Sequence, residues 1–177
     1  MKKGFTLVLT FLLVVTVAAM VAGCGSDTTQ AQQYMKKGDN QLQNVESGAS
    51  AWSAQVNSIS ADPAKIAGEV QQARAMGDDL LKTSQAAKSE FEKIRGLNGV
   101  ADYKKYADLR IAELGIIDQI VQKMYEFLDK RVAMVSSGDL SKYPALQQQV
   151  QDEIDTISEK GQKIEQEAGQ LKSDKKL

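Results

Sequence analysis

The chain has 177 residues, with 22 lysines and arginines against 23 aspartates and glutamates, one cysteine and no histidine. A balance this close to neutral speaks against a nucleic-acid binder, and a lone thiol without histidine makes no internal disulfide, no Cys/His nucleophile pair and no mixed zinc site. There is no Gly-rich phosphate loop or Ser-centred elbow, and none of the Glu-x-x-His, axial-histidine or Cys-x-x-Cys-His patterns of iron and haem helical proteins, so the sequence predicts no catalytic residue, no cofactor and no metal site.

The first element is a leader. Met1-Lys2-Lys3 is followed by an uncharged run over 4–22 that ends in small residues, the composition of a secretory signal, although a run of this length nearly spans a bilayer and also suits an uncleaved anchor. In both cases Lys2 and Lys3 stay on the cytoplasmic side. The tetrapeptide Val21-Ala22-Gly23-Cys24, an aliphatic residue and two small ones before the cysteine, resembles the lipobox of bacterial lipoproteins. The resemblance covers only the first two dozen residues. It implies a diacylglycerol on the Cys24 sulfur, cleavage just before it, and a lipidated first residue held on the outer side of the cell membrane, or on an outer membrane where there is one. Two or three acyl chains give stable anchoring, whereas a single chain holds weakly.

Removal of 23 of the 177 residues leaves 154, one ordinary domain with 20 basic against 23 acidic groups. Residues 24–29 are expected to form a lipidated tether, whose polar part over 25–29 reaches at most about 17 Å when extended. The domain over 30–177 follows. Its first helix, expected over 30–60, carries Met35, Leu42, Ala49 and Val56 beside Val45, Trp52 and Ile59. Asp62-Pro63 supplies an N-cap and first-turn proline for a second helix over 63–95, with Ile66, Ala73, Leu80, Ala87 and Ile94 on one track and Val70, Gly77, Ser84 and Phe91 on the other. Gly96 and Asn98-Gly99 turn the chain into a third helix over 100–136, whose wider stripe passes through Tyr106, Leu114, Ile117, Val121, Met124, Phe127, Leu128 and Val135. Gly138 ends it, and a fourth helix over 142–173 opens near Pro144 and shows Val150, Ile157, Ile164 and Leu171 beside Ile154, Gly161 and Ala168. Paired heptad tracks and short connections predict an all-α, antiparallel up-down-up-down four-helix bundle; a long coiled-coil dimer is the competing arrangement.

Polar residues on the apolar face mark the candidate sites. Arg110 and Glu113 are three apart on the third helix and should pair, at a level that the antiparallel topology shares with Ser84 and with 161–165. The layer reads either as a small ligand pocket or as a satisfied polar layer that fixes register. Gly77, Gly161 and Ala168 are expected as close-packing positions, and Trp52 as core. An even number of helices returns the C-terminus to the lipid anchor. That end gathers Lys36, Lys37, Lys93, Arg95, Lys104, Lys105, Lys172, Lys175 and Lys176, of which Lys36, Lys37, Lys104 and Lys105 lie near helix starts and are read as membrane-surface contacts. The expected function is a lipid-anchored, non-enzymatic envelope protein that scaffolds or binds an envelope protein partner. The alternative is a ligand-binding or sensory module with its site near Arg110 and Glu113.

Overall fold

The structure, a computed structural model, describes residues 3–177, with side chains described from Ser26 onward. The leader side chains, the lipobox and Cys24 therefore lie outside the described side chains. Four antiparallel helices form the chain: α1 Lys3–Ser58, α2 Ile66–Arg95, α3 Ala101–Ser137 and α4 Tyr143–Lys175. No strand occurs among the described residues. The fold is the expected all-α four-helix bundle. Residues 24–29, expected as a tether, lie within α1, which runs unbroken through them. Among the described residues no helix is long and apolar enough to cross a membrane.

The turns follow from local chemistry. The Asp62 side chain accepts the Ala64 N–H at 2.9 Å, and its carbonyl accepts from Lys65 and Ile66, so Asp62-Pro63 shapes the turn and α2 proper starts three residues later than the proline suggests. Glu69 reaches back from the first turn of α2 to accept both the backbone N–H and the hydroxyl of Ser60, which pins the incoming chain. Gly99 and Gly138 adopt φ of +68° and +72°, values that L side chains rarely tolerate, and there the chain reverses after α2 and α3.

The core sits where the heptad tracks place it. All nine expected positions of α2 are buried, from Ile66 to Ile94, and so are Met35, Leu42, Val45, Trp52 and Val56 on α1 and Ile59 just past its end. Full burial of side chains such as Phe91, Ile94 and Leu114 stabilises by about 1.5–3 kcal/mol each. Phe91 fits because Gly38 lies under it: a Cβ there would meet the ring at 2.6 Å. Gly77 likewise receives the Tyr125 ring. The Trp52 indole N–H donates to the Ala73 carbonyl at 2.8 Å and its ring stands edge-on to Tyr125, so α1, α2 and α3 share one polar and aromatic tie.

The helices are not equally engaged. α1 and α3 approach within 8 Å at Cα across the diagonal, whereas α4 comes that close only to α3. On α4 only Leu146 and Ala168 are buried; Val150, Ile154, Ile157, Ile164 and Leu171 are half-exposed. The bundle is thus a close-packed group of α1, α2 and α3 with α4 laid on α3, and the seam between α1 and α4 stays open. Every buried side chain described lies between Ala31 and Ala168, so a chain beginning at residue 24 keeps this entire core.

Candidate functional site

The open seam has a polar bar at one end and an apolar floor beyond it. The bar is built around Tyr106, which is fully buried on α3. Its hydroxyl donates to Asp39 of α1 at 2.7 Å and accepts from Arg110 Nε at 2.9 Å. Arg110 sits one turn further along α3 and continues to Glu113 through Nη1 at 2.6 Å. Asp39 in turn accepts from Lys172 of α4 at 2.6 Å. The Arg110 guanidinium and the Lys172 ammonium both stand over the Tyr106 ring, at 5.1 and 5.6 Å from its centroid. Two cations and two carboxylates alternate around one phenol, and the group ties α1, α3 and α4 together.

The electrostatics follow from burial. Burial disfavours the phenolate, so Tyr106 is held above its ordinary range, with Arg110 opposing and Asp39 adding to the shift. Burial works against the Arg110 charge, but its hydrogen bonds to Glu113 and Tyr106 outweigh it and raise the pKa. Burial also raises Glu113 above the usual carboxylate value; Arg110 opposes this, while the like charges of Glu165 and Glu46 add to it.

Past the bar the seam widens into a series of hollows between α1 and α4 over a floor from α3. The first, about 300 Å³, is rimmed by Glu46, Glu113 and Glu165 over Ile116, Ile117 and Ile120. The second, about 350 Å³, shares Ile117, Ile120 and Ser158 with it and is lined further by Trp52, Met124 and Ile154, with no charged side chain. A third, of about 180 Å³, reaches Arg131 and Tyr143 near the far end. There Arg131 donates to the Ile59 carbonyl and so satisfies a backbone acceptor just past the C-terminus of α1. On the other side of the bar, near the C-terminus, a hollow of about 440 Å³ opens between Met35, Lys36, Asp39, Lys172 and Leu177.

The expected site residues divide. Arg110 and Glu113 pair as their spacing predicts. Ser84 belongs elsewhere: it is fully buried, and its hydroxyl donates to Asp118 at 2.7 Å, where Asp118 also holds Lys88 across α2 and α3. Gly161 is both a packing position, where a Cβ would meet Ile116 at 3.1 Å, and a wall of the first hollow. Asp39, Tyr106 and Lys172 complete the bar; the sequence marks Tyr106 only as part of the apolar stripe and Lys172 only as part of the basic end, while nothing in it marks Asp39. The four-residue step from Tyr106 to Arg110 is a local signal, whereas Asp39 lies 67 residues from Tyr106 and 133 residues from Lys172, and these side chains meet only through the fold.

The lysines read as surface contacts sit at the end expected, since the Asn98 N–H donates to the Asp27 carboxylate at 2.8 Å and so joins the α2–α3 turn to the chain near residue 24. Acidic neighbours offset much of the positive charge there: Lys93 pairs with Glu90, Arg95 with Asp108, Lys105 with Glu167, Lys172 with Asp39 and Lys175 with Asp102. Lys36, Lys37, Lys104 and Lys176 enter no ion pair among the described residues. No three carboxylates among the described residues come together in a way that would hold a metal ion. No family model, curated protein or solved structure matches the chain, so its functional reading rests on the fold and the seam themselves.

Proposed function

We propose that this chain is a lipid-anchored binding module of the bacterial cell envelope, held at Cys24 and recognising its ligand without covalent chemistry in the seam between α1 and α4. The observation that supports this reading is the open seam itself. A purely structural four-helix spacer gains from closing its fourth interface, because each half-exposed Val or Ile on α4 forgoes part of the stabilisation that burial gives. Here the fourth interface is left as hollows of ligand size, lined mainly by apolar side chains with a few polar groups at the rim, which is the composition of small-molecule sites between helices. The site is displaced from the Arg110–Glu113 pair toward Trp52 and Met124, since the pair is already satisfied within the bar.

The anchor and the seam are tested separately. Cys24→Ser is expected to abolish lipid labelling and to leave an uncleaved precursor; normal processing of that variant removes the anchor from the reading. For the seam, a photo-crosslinking residue is placed at Ser53 or Ser158 on its rim and, as a control, at Lys82 or Gln85 on the exposed face of α2. In intact cells the rim positions are expected to give adducts that the α2 positions do not. Equal labelling from both faces overturns the seam as the binding surface.

A further inference from the structure

The charges along the seam select a class of ligand. The hollow of about 350 Å³ has no charged wall, while the adjoining hollow of about 300 Å³ carries three carboxylates, from Glu46 on α1, Glu113 on α3 and Glu165 on α4. Arg110 neutralises Glu113 at 2.6 Å, but Glu46 and Glu165 enter no ion pair among the described residues. Between Gly38 and Ser58, α1 contains no lysine or arginine, so its side of the seam offers no compensating cation. The two hollows adjoin and share Ile117, Ile120 and Ser158 as a common wall on the open seam. From Glu46 to Trp52 the run along α1 is about 9 Å at 1.5 Å per residue. An occupant of that length meets acid at one end and only apolar or neutral hydrogen-bonding groups at the other.

We propose that the seam binds an amphiphilic organic cation, an amine or quaternary ammonium whose charged group lies among Glu46, Glu113 and Glu165 and whose apolar body covers the Trp52, Met124 and Ile154 floor. The inference rests on the seam being the binding site and adds the chemistry of the occupant. Complementary charge supplies the selectivity: an anion of the same shape meets two uncompensated carboxylates, and a neutral molecule gains the floor alone. The apolar floor supplies affinity for any of the three, because it removes hydrocarbon from water regardless of the head group.

The experiment uses residues 24–177 with Cys24→Ser and three probes of eight carbons each below their micellar concentrations: octylammonium, octanol and octanoate. Trp52 is the single tryptophan of the chain and lines the hollow, so its emission reports occupancy directly, with the melting temperature as a second readout. Octylammonium is expected to bind about tenfold more tightly than octanoate at low salt, with the difference shrinking toward 1 M salt as the Debye length falls to about 3 Å. Glu46→Gln with Glu165→Gln should erase that preference while octanol binding stays the same, and Ser158→Phe, which fills the junction of the two hollows, should remove the response to all three. Circular dichroism of each variant separates loss of binding from loss of fold. Octanol and octanoate binding as tightly as octylammonium would overturn the cation while leaving the seam as a site. Silence of Trp52 toward all three probes would overturn both.

Discussion

Removal of the Tyr106 hydroxyl, by Tyr106→Phe, takes the acceptor from Arg110 Nε and the donor from Asp39 while the ring and its packing against Phe91 remain. Loss of a buried hydrogen-bond partner costs about 1–3 kcal/mol, and urea unfolding should show a drop of that order. Arg110→Met alone leaves Glu113 buried without its cation and should cost about 3 kcal/mol, whereas Arg110→Met with Glu113→Leu should recover most of it, since an apolar pair of similar volume replaces a buried ion pair at little cost. The pH dependence carries a sign. Burial holds the folded pKa of Glu113 above 4.5, so the folded chain takes up this proton more readily than the unfolded one. Stability from this group is therefore gained as pH falls through the folded value and lost as pH rises from the ordinary carboxylate value toward neutrality. Glu113→Gln should flatten that part of the stability profile; a profile unchanged by the substitution would show that Glu113 ionises in the fold as it does in water. Of this bar, the sequence revealed the Arg110–Glu113 step, because i to i+3 neighbours meet on any helix. Asp39 and Lys172 look like ordinary surface residues until α1 and α4 are set side by side, and no spacing in the chain encodes that meeting.

At the level of helices, α2 and α4 carry heptad tracks of equal clarity yet differ in what the tracks bury. Periodicity states which residues are apolar and in line; it does not state whether another helix arrives to cover them. The difference has a chemical trace. The inward positions of α2 include Leu80, Phe91 and Ile94 beside the small Ala73, Gly77 and Ala87, which lets neighbours interdigitate, while α4 between Leu146 and Leu171 has no leucine or aromatic residue and offers Val150, three isoleucines, Gly161 and Ala168 among many glutamines. Large-to-small substitutions should separate the two. Leu80→Ala and Ile94→Ala are expected to cost about 2–5 kcal/mol, but Ile154→Ala and Ile157→Ala about 1–2 kcal/mol, because these side chains are only partly withdrawn from water. Native-state hydrogen exchange should rank the helices in the same order, with α4 amides opening at lower free energy than those of α2. Costs in α4 equal to those in α2 would mean that the seam closes in solution.

For the molecule as a whole, the order of helices and their short turns were legible because each break carries its own residue: Asp62-Pro63, Asn98-Gly99, Gly138 and Pro144. The even helix count puts the C-terminus, the α2–α3 turn and Asp27 at one end, which the Asn98 to Asp27 hydrogen bond fastens. The charge that end presents is smaller than its lysines alone imply. Lys105 is shared with Glu167, so replacement of the unpaired Lys36, Lys37, Lys104 and Lys176 by glutamine should account for nearly all binding of the unlipidated domain to anionic vesicles, on the order of 1 kcal/mol per residue that reaches the surface. Lys130 and Lys142, at the opposite end, serve as the control. Equal loss from that pair, or no vesicle binding at low salt, would leave the lipid at Cys24 as the sole membrane contact.

The laying of α4 on α3 alone also sets the sequence of events in time. Helix α2 packs on α1 and α3 and comes near nothing of α4, so the core it closes around Ala73, Leu80 and Phe91 is complete once the chain has emerged as far as Gly138. A chain stopped there should already melt cooperatively, with Trp52 more open to water because α4 supplies one wall of its hollow. The last segment then arrives at a finished surface, and Lys172 on Asp39 with Lys175 on Asp102 act as its catches at the C-terminal end. During folding the chain would pass through a stage with its core shut and the seam still lacking one wall, so that seam and core mature as separate events.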